Sequence, residues 1–179
     1  MLTPISALAA QQAKPMQATM KRVQHFLDYA ATQEPAVTTY RASNMILAIH
    51  SDAGYLNKEG ARSRAGGHHF LSEDVPNPSN NGAVYNEASI MKSVMSSAAE
   101  AELGALYTNA RKGVEIRNML EEMGHIQPPT PVQTDNSTAD GIINSRVQPK
   151  RTKAMDMRFH WLRDRGVNQQ QFKFYWRPG

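Results

Sequence analysis

The chain has 179 residues, a formal net charge of +4 and no cysteine. This length suits one domain with an appendage, and the lack of cysteine excludes disulfides, thiolate catalysis and cysteine-based zinc sites. We expect an intracellular protein without a membrane partner, because no apolar run approaches the roughly 18–20 residues of a membrane span and the N-terminus lacks a signal-peptide pattern.

Charge is distributed unevenly along the sequence. From Arg146 onward nine basic residues face only Asp156 and Asp164, so this part carries +7 and the remainder −3. Such asymmetry is typical of a surface that binds polyanions. The alternative is a solvated basic helix face without a partner.

Residues 1–35 form a segment distinct from residues 36–179. Apolar residues recur at helical spacing, which predicts an amphipathic helix between Pro15 and Pro35. A lone amphipathic helix is marginal in water, so its apolar stripe is expected to pack on another surface. The stripe comprises Met16, Met20, Val23, Phe26, Leu27 and Ala30.

The remaining residues predict an α/β domain. The apolar run from Met45 to Ile49 is typical of a strand buried on both faces. Turn-rich segments then separate it from two further strands, which predicts an antiparallel meander. The later elements are helices over 98–110 and 114–123, a strand over 132–135, a helix over 138–144, a basic helix over 152–163 that ends at Gly166, and a strand over 172–176. The fourth strand is expected to pair in parallel with the first.

Three acidic residues occupy comparable positions in this plan. Asp52 and Asp135 each follow a strand, and Glu102 lies near the start of a helix. Parallel neighbouring strands would bring both aspartates to one edge of the sheet. Clustered carboxylates suit Mg²⁺ or Mn²⁺, and two such ions support an in-line phosphodiester displacement. Spacing alone leaves open ordinary turn or capping roles for the aspartates, and Glu100 as an alternative to Glu102.

Five segments occur in a distinctive order along the chain: His50–Ala53, Arg62–Gly67, Ser97–Glu102, Thr134–Ala139 and Arg151–His160. Together they resemble the ribonuclease H domain of copia-type long-terminal-repeat retrotransposon polyproteins. The resemblance covers about Val37 to the last residue, and the Pro15–Ala31 helix is similar to the connection that follows the reverse transcriptase in such polyproteins.

The resemblance implies a ribonuclease H-like fold, with a five-stranded mixed sheet of order 3-2-1-4-5 flanked by helices. It also implies Mg²⁺-dependent (or Mn²⁺-dependent) hydrolysis of the RNA strand of RNA–DNA hybrids, with two ions in the complete domain. The first and third aspartates of the family fall on Asp52 and Asp135. Glu102 is preferred to Glu100 because Glu102–Ala105 resembles the Glu-x-x-Ala opening of the family's helix. The implied partners are the hybrid and the reverse transcriptase portion of the polyprotein, in a cytoplasmic virus-like particle or the nucleus.

One departure concerns the family's fourth catalytic aspartate, which lies beyond the last strand in an Ala-Asp-x-x-Thr-Lys segment. The sequence reaches Gly179 before any such residue, so we expect a domain that lacks its C-terminal acidic segment and a two-ion site short of one ligand. The alternative function is therefore a catalytically incomplete nucleic-acid-binding or structural module. Asp156 is interpreted as structural or as part of the basic helix.

The basic helix supplies the predicted nucleic-acid contacts, which are Arg151, Lys153, Arg158 and Arg163. Phosphate contacts weaken with salt and carry little sequence information. Stacking on nucleic acid and packing in the core are both open to Trp161 and Trp176, and core packing is the preferred prediction.

Overall fold

The computed structural model describes residues 2–58, 60–144 and 156–178. It divides into two compact units, Met1–Thr39 and Tyr40–Gly179. In the described ranges, no helix has the length and apolar character that crossing a membrane requires.

The N-terminal unit is a pair of helices, α1 (Leu2–Ala9) and α2 (Gln17–Ala31). The sequence predicted α2 but not α1. Thr19 on α2 is buried, and its hydroxyl donates to Gln11 Oε1 at 2.9 Å. This bond ties α2 to the turn that follows α1. Met20 on α2 remains more than half exposed, so this unit buries only part of its apolar stripe.

The second unit is built on one five-stranded sheet. Its order is β3-β2-β1-β4-β5, and the predicted 3-2-1-4-5 arrangement is confirmed. The pairs β1–β2 and β2–β3 are antiparallel, whereas β1–β4 and β4–β5 are parallel. The strands are β1 (Ile46–Lys58), β2 (Arg62–Ser72), β3 (Ala83–Ile90), β4 (Thr130–Thr134) and β5 (Phe172–Trp176).

The first strand begins in the core and ends in solvent. Leu47, Ala48 and Ile49 are fully buried, as the apolar run predicts. Beyond Asp52 the β1–β2 hairpin continues to Lys58, further than the sequence indicated, and a register shift interrupts its pairing after Gly54. The strand therefore carries Asp52 at the point where the buried run ends.

One long helix, α3 (Ala98–Glu122), packs across the sheet. The prediction of two helices, with a break before Val114, is wrong. Gly113 continues the helix and lies so close to the sheet that an added Cβ would meet Ile49 Cδ1 at 2.8 Å and Phe172 Cε1 at 3.1 Å. Tertiary packing thus outweighs the roughly 1 kcal/mol that glycine costs in a helix.

Three shorter elements complete the helical side: α4 (Ser137–Ile143), α5 (Asp156–Arg163) and a π-helical turn (Asp164–Asn168). The turn continues the chain's helical path past Gly166, where the sequence predicted an end. The part of the predicted basic helix before residue 156 lies outside the described residues. The main core is formed between α3 and the sheet by buried residues including Leu106, Ile143, Leu162, Val132 and Phe174.

Candidate metal centre

Asp52 is held by the central pair of antiparallel strands. It is exposed and stands opposite Gly66 in the β1–β2 ladder. Behind it, the buried side-chain amide of Asn109 donates to Ser51 Oγ at 2.9 Å and to Gly66 O at 2.8 Å. These bonds fix α3 to both strands at the row next to Asp52, so the carboxylate projects from a rigid backbone.

Asp135 is the first residue after β4, and its backbone is bound from two sides. The Trp176 indole N–H donates to the carbonyl of Asp135 at 2.9 Å, and the Arg177 N–H donates to the Thr134 carbonyl at 3.0 Å. Asn136 then caps α4, with its side-chain oxygen accepting from two N–H groups of that helix's first turn. The strand end, β5 and the cap together set the direction in which Asp135 points.

Glu102 comes from the second turn of α3. Its side chain is buried, and Oε1 accepts the backbone N–H of Ala53 at 3.1 Å. Glu100, the alternative from sequence, points elsewhere: its Oε2 accepts from the Ser96 N–H at 2.6 Å, and Ser97 caps the helix.

The structure brings Asp52, Glu102 and Asp135 together, so that one carboxylate oxygen from each lies within 4.8 Å of the others. Burial, followed by the charges of Asp135 and Asp52, raises the pKa of Glu102 to about 8. Its Oε2 is buried and has no hydrogen-bond partner among the described residues.

These features fit a divalent cation. Three oxygen donors, one of them otherwise unpartnered, are the ligand type that Mg²⁺ and Mn²⁺ prefer. A cation would also offset the burial and the carboxylate repulsion that raise the pKa of Glu102.

Of the predicted nucleic-acid contacts, the structure describes Arg158 and Arg163. Arg158 on α5 is half-buried, donates to Ser93 Oγ at 3.1 Å and stacks over Tyr107 with 5.9 Å to the ring centroid. Arg163 is exposed at the end of α5. Arg151 and Lys153 lie outside the described residues, as does the side chain of Asp156.

The two tryptophans have different surroundings in the structure. Trp161 packs against the main core, as predicted, but the prediction of core packing is wrong for Trp176, which is 47% exposed. It shares alternation with the buried Phe172 and Phe174, yet the core ends before its row. The signal available in the sequence was its place at the end of the last strand, which the structure pairs with Thr134, the residue before Asp135.

The sheet order and the helices packed on it define a ribonuclease H-like fold. A TM-score of 0.53 relates the chain to LC11-RNase H1, isolated from compost by a metagenomic approach, at 11% identity over 75% of this chain and 85% of that one. The N-terminal RNase H domain of a Mycobacterium tuberculosis protein gives a TM-score of 0.51 and 13% identity, over 75% of this chain and 83% of that one.

In sequence, the chain is similar to the retrovirus-related Pol polyprotein from transposon TNT 1-94 of Nicotiana tabacum, with 29% identity over 83 residues. The match covers 46% of this chain and 6% of the polyprotein, so the chain spans only a small part of that relative's length. No protein-family model matches the chain.

Proposed function

We propose that the chain is the ribonuclease H domain of a retroelement polyprotein of the copia type and that it hydrolyses the RNA strand of RNA–DNA hybrids. The observation that carries this proposal is the convergence of Asp52, Glu102 and Asp135 to within 4.8 Å at the edge of a ribonuclease H-like sheet. Similarity to a transposon Pol polyprotein supports the retroelement origin.

Asp52, Glu102 and Asp135 would hold Mg²⁺ or Mn²⁺, with two ions in the complete domain. When bound, such ions activate the attacking water and stabilise the leaving oxygen of the phosphodiester. The protein's own contribution is positional. The Ala53 N–H orients Glu102, and the β4–β5 pairing together with Trp176 orients Asp135. Glu102 carries a proton near neutral pH without a cation and must release it when one binds.

The proposed substrate follows from charge and groove shape. A hybrid displays 2′-hydroxyl groups in a wide, shallow minor groove, which lets a protein distinguish the RNA strand. Arg158 and Arg163, with Arg151 and Lys153 on the preceding segment, would contact phosphates and make binding weaken with salt. Such contacts position the duplex, so we expect little sequence preference.

The reverse transcriptase portion of the same polyprotein is the proposed protein partner. Residues 1–35 would be the connection segment and residues 36–179 the nuclease domain. The exposed apolar side chains of α2 and its N-cap, among them Met16, Met20 and Leu27, support a contact of this unit with another surface. The expected location is a cytoplasmic virus-like particle or the nucleus.

A second candidate is a module that binds nucleic acid, or completes the polyprotein structurally, without cutting. The described residues place three acids in the cluster rather than four, and this favours the possibility. Cleavage is the assay that separates the two candidates.

The test is cleavage of a labelled RNA–DNA hybrid in Mg²⁺ and in Mn²⁺, with wild type, Asp52→Asn and Glu102→Gln compared. We expect metal-dependent cutting of the RNA strand, reduced at least about 100-fold in both variants because each removes a ligand charge from the cluster. Glu100→Gln is the matched control, since it removes the same charge two residues away, and should stay within about threefold of wild type.

Two outcomes would contradict the proposal. Hybrid binding without any cutting would favour the second candidate. Loss of cutting in Glu100→Gln, with activity kept in Glu102→Gln, would show that the wrong glutamate has been assigned. Metal binding is measured separately by electron paramagnetic resonance of Mn²⁺, which does not depend on turnover.

A further inference from the structure

A polar cleft of about 790 Å³ is lined by residues of β1, β4 and the end of β5, together with the loop residues 77–80. His50 and Gln133 line it and are register partners in the parallel pair β1–β4. Each precedes an aspartate of the cluster by two residues, and side chains two apart on a strand share a face about 7 Å from one another. The cleft therefore begins one row behind Asp52 and Asp135.

Arg177 supplies positive charge to this cleft. It is exposed, lines the cleft and follows β5 at the level of Asp135. Its backbone N–H donates to the Thr134 carbonyl, which extends the β4–β5 pairing by one residue and fixes the point where the guanidinium starts. A guanidinium in this position can bind a phosphate through paired N–H donors.

Trp176 lines the cleft and also bonds the backbone of Asp135. The indole N–H donates to the Asp135 carbonyl at 2.9 Å, so the ring cannot rotate freely, yet 47% of the residue is exposed. An aromatic ring held still and left exposed loses little entropy when a flat group stacks on it. Base–aromatic stacking is the common use of such a ring in strand-binding proteins.

The polar side chains of Gln133 and His50 also line the cleft. The Tyr175 hydroxyl donates to Gln133 Oε1 at 3.4 Å and orients that amide. His50 Nε2 is buried and has no hydrogen-bond partner in the described parts of the chain. The Gln133 amide can hydrogen-bond a ligand, and neither Gln133 nor His50 adds negative charge.

We propose that this cleft is a nucleotide subsite, which binds the nucleotide next to the scissile phosphate through a phosphate contact to Arg177 and stacking on Trp176. The inference rests on the proposed function and deepens it. The subsite would hold the substrate strand at a second point, one residue row from the carboxylates. It would thereby fix the spacing between the bound nucleotide and the phosphodiester bond that is cleaved.

The experiment measures hybrid binding by the full chain in EDTA, where metal-dependent cutting cannot occur, and KM and kcat in Mn²⁺. Trp176→Ala is expected to raise Kd about 5- to 100-fold, the range that loss of one stack produces. Trp176→Phe keeps an aromatic face and should stay within about threefold of wild type. Arg177→Gln should raise Kd about 3- to 10-fold. It should also reduce the slope of log Kd against the logarithm of salt concentration by about one.

Arg111→Gln is the matched charge control, because Arg111 is exposed and stacks on Tyr107, about 13 Å along α3 from Glu102. Its Kd should equal that of wild type within about twofold. Trp176 fluorescence, assigned by the emission lost in Trp176→Phe, should become protected from acrylamide quenching when hybrid binds.

The outcomes separate the subsite from the function. Wild-type protein that cuts hybrid, with KM and Kd unchanged in Trp176→Ala and Arg177→Gln, overturns the subsite alone. Wild-type protein that neither binds nor cuts hybrid overturns both. Equal damage from Trp176→Phe and Trp176→Ala, with Mn²⁺ affinity lowered in both, would make Trp176 a positioning residue for Asp135 and overturn the stacking role.

Discussion

The protonation of Glu102 should make the metal-free protein less stable as pH rises. Its pKa in the folded chain is about 8, against 4.5 for the ordinary carboxyl, because burial and the neighbouring aspartates disfavour the charged form. Between these values the folded state binds a proton that the unfolded state has released. Stability therefore falls with increasing pH across this window.

The magnitude is large for one side chain. At about 1.4 kcal/mol per pH unit, the contribution of Glu102 to the unfolding free energy falls by on the order of 4 kcal/mol between about pH 5 and about pH 8. Domains of this size are stabilised by only about 5–15 kcal/mol in total. Urea unfolding of the protein in EDTA, measured across this range, gives the quantity directly.

Glu102→Gln is the variant that isolates the effect. Glutamine keeps an oxygen that can accept the Ala53 N–H but has no proton to release. The difference in unfolding free energy between the variant and wild type should grow with pH and disappear near pH 5, because other titrating groups are common to both proteins. Parallel pH profiles for the two proteins would refute this reasoning. Saturating Mg²⁺ should remove most of the wild-type loss, since the cation stabilises the ionised carboxylate.

Other predictions concern the support of the site. Burial, with His68 and Arg177 nearby, lowers the pKa of His50 to about 4. As pH falls below 6.5 the unfolded chain therefore takes up a proton before the folded chain does, which destabilises the folded state. His50→Phe should reduce this acid destabilisation by about 2 kcal/mol, measured by urea unfolding at two pH values. Gly67→Ala should lower the free energy of unfolding by about 2–4 kcal/mol, because its Cβ would overlap the buried amide of Asn109. Gly66→Ala is the control, since its Cβ meets only ordinary contacts, and should cost less than about 1 kcal/mol. Equal shifts in the thermal midpoints of the two variants would contradict this prediction. Arg117→Lys should lower the free energy of unfolding by about 2 kcal/mol, since lysine cannot replace the guanidinium bonds to Gln127 O, Pro128 O and Thr130 Oγ1. An unchanged urea midpoint would show that those bonds are dispensable.

The strands and the approximate place of the acids could be predicted because their signals are local, whereas the strand order 3-2-1-4-5 was implied by the resemblance. A buried apolar run, turn residues and alternating aromatic residues each depend on a few neighbouring positions. The continuity of α3 could not be predicted, since Gly113 reads as a helix breaker until Ile49 and Phe172 are known to face it. Tertiary contacts of this kind override local propensity.

The details of the site depended on contacts between distant segments. Glu100 and Glu102 differ little in sequence context, and only the docking of α3 on β1 decides which one bonds the β1 backbone next to Asp52 and which one accepts the Ser96 N–H outside the site. Trp176 continues the alternation of a core strand. The side chain of Trp176 is exposed because the helices do not cover the end of β5. The sequence of the strand alone does not indicate how far the helices extend.

The three acids come from segments separated by about 50 and about 33 residues. A cation can bind them together only after α3 has docked and β4 has paired with β1, which are long-range events that small domains complete late in folding. Metal would then stabilise the native state without stabilising the transition state, so it would lengthen the lifetime of the folded chain rather than speed its formation. By this reasoning, metal availability in the cell would determine how long a folded copy survives before it opens to proteases.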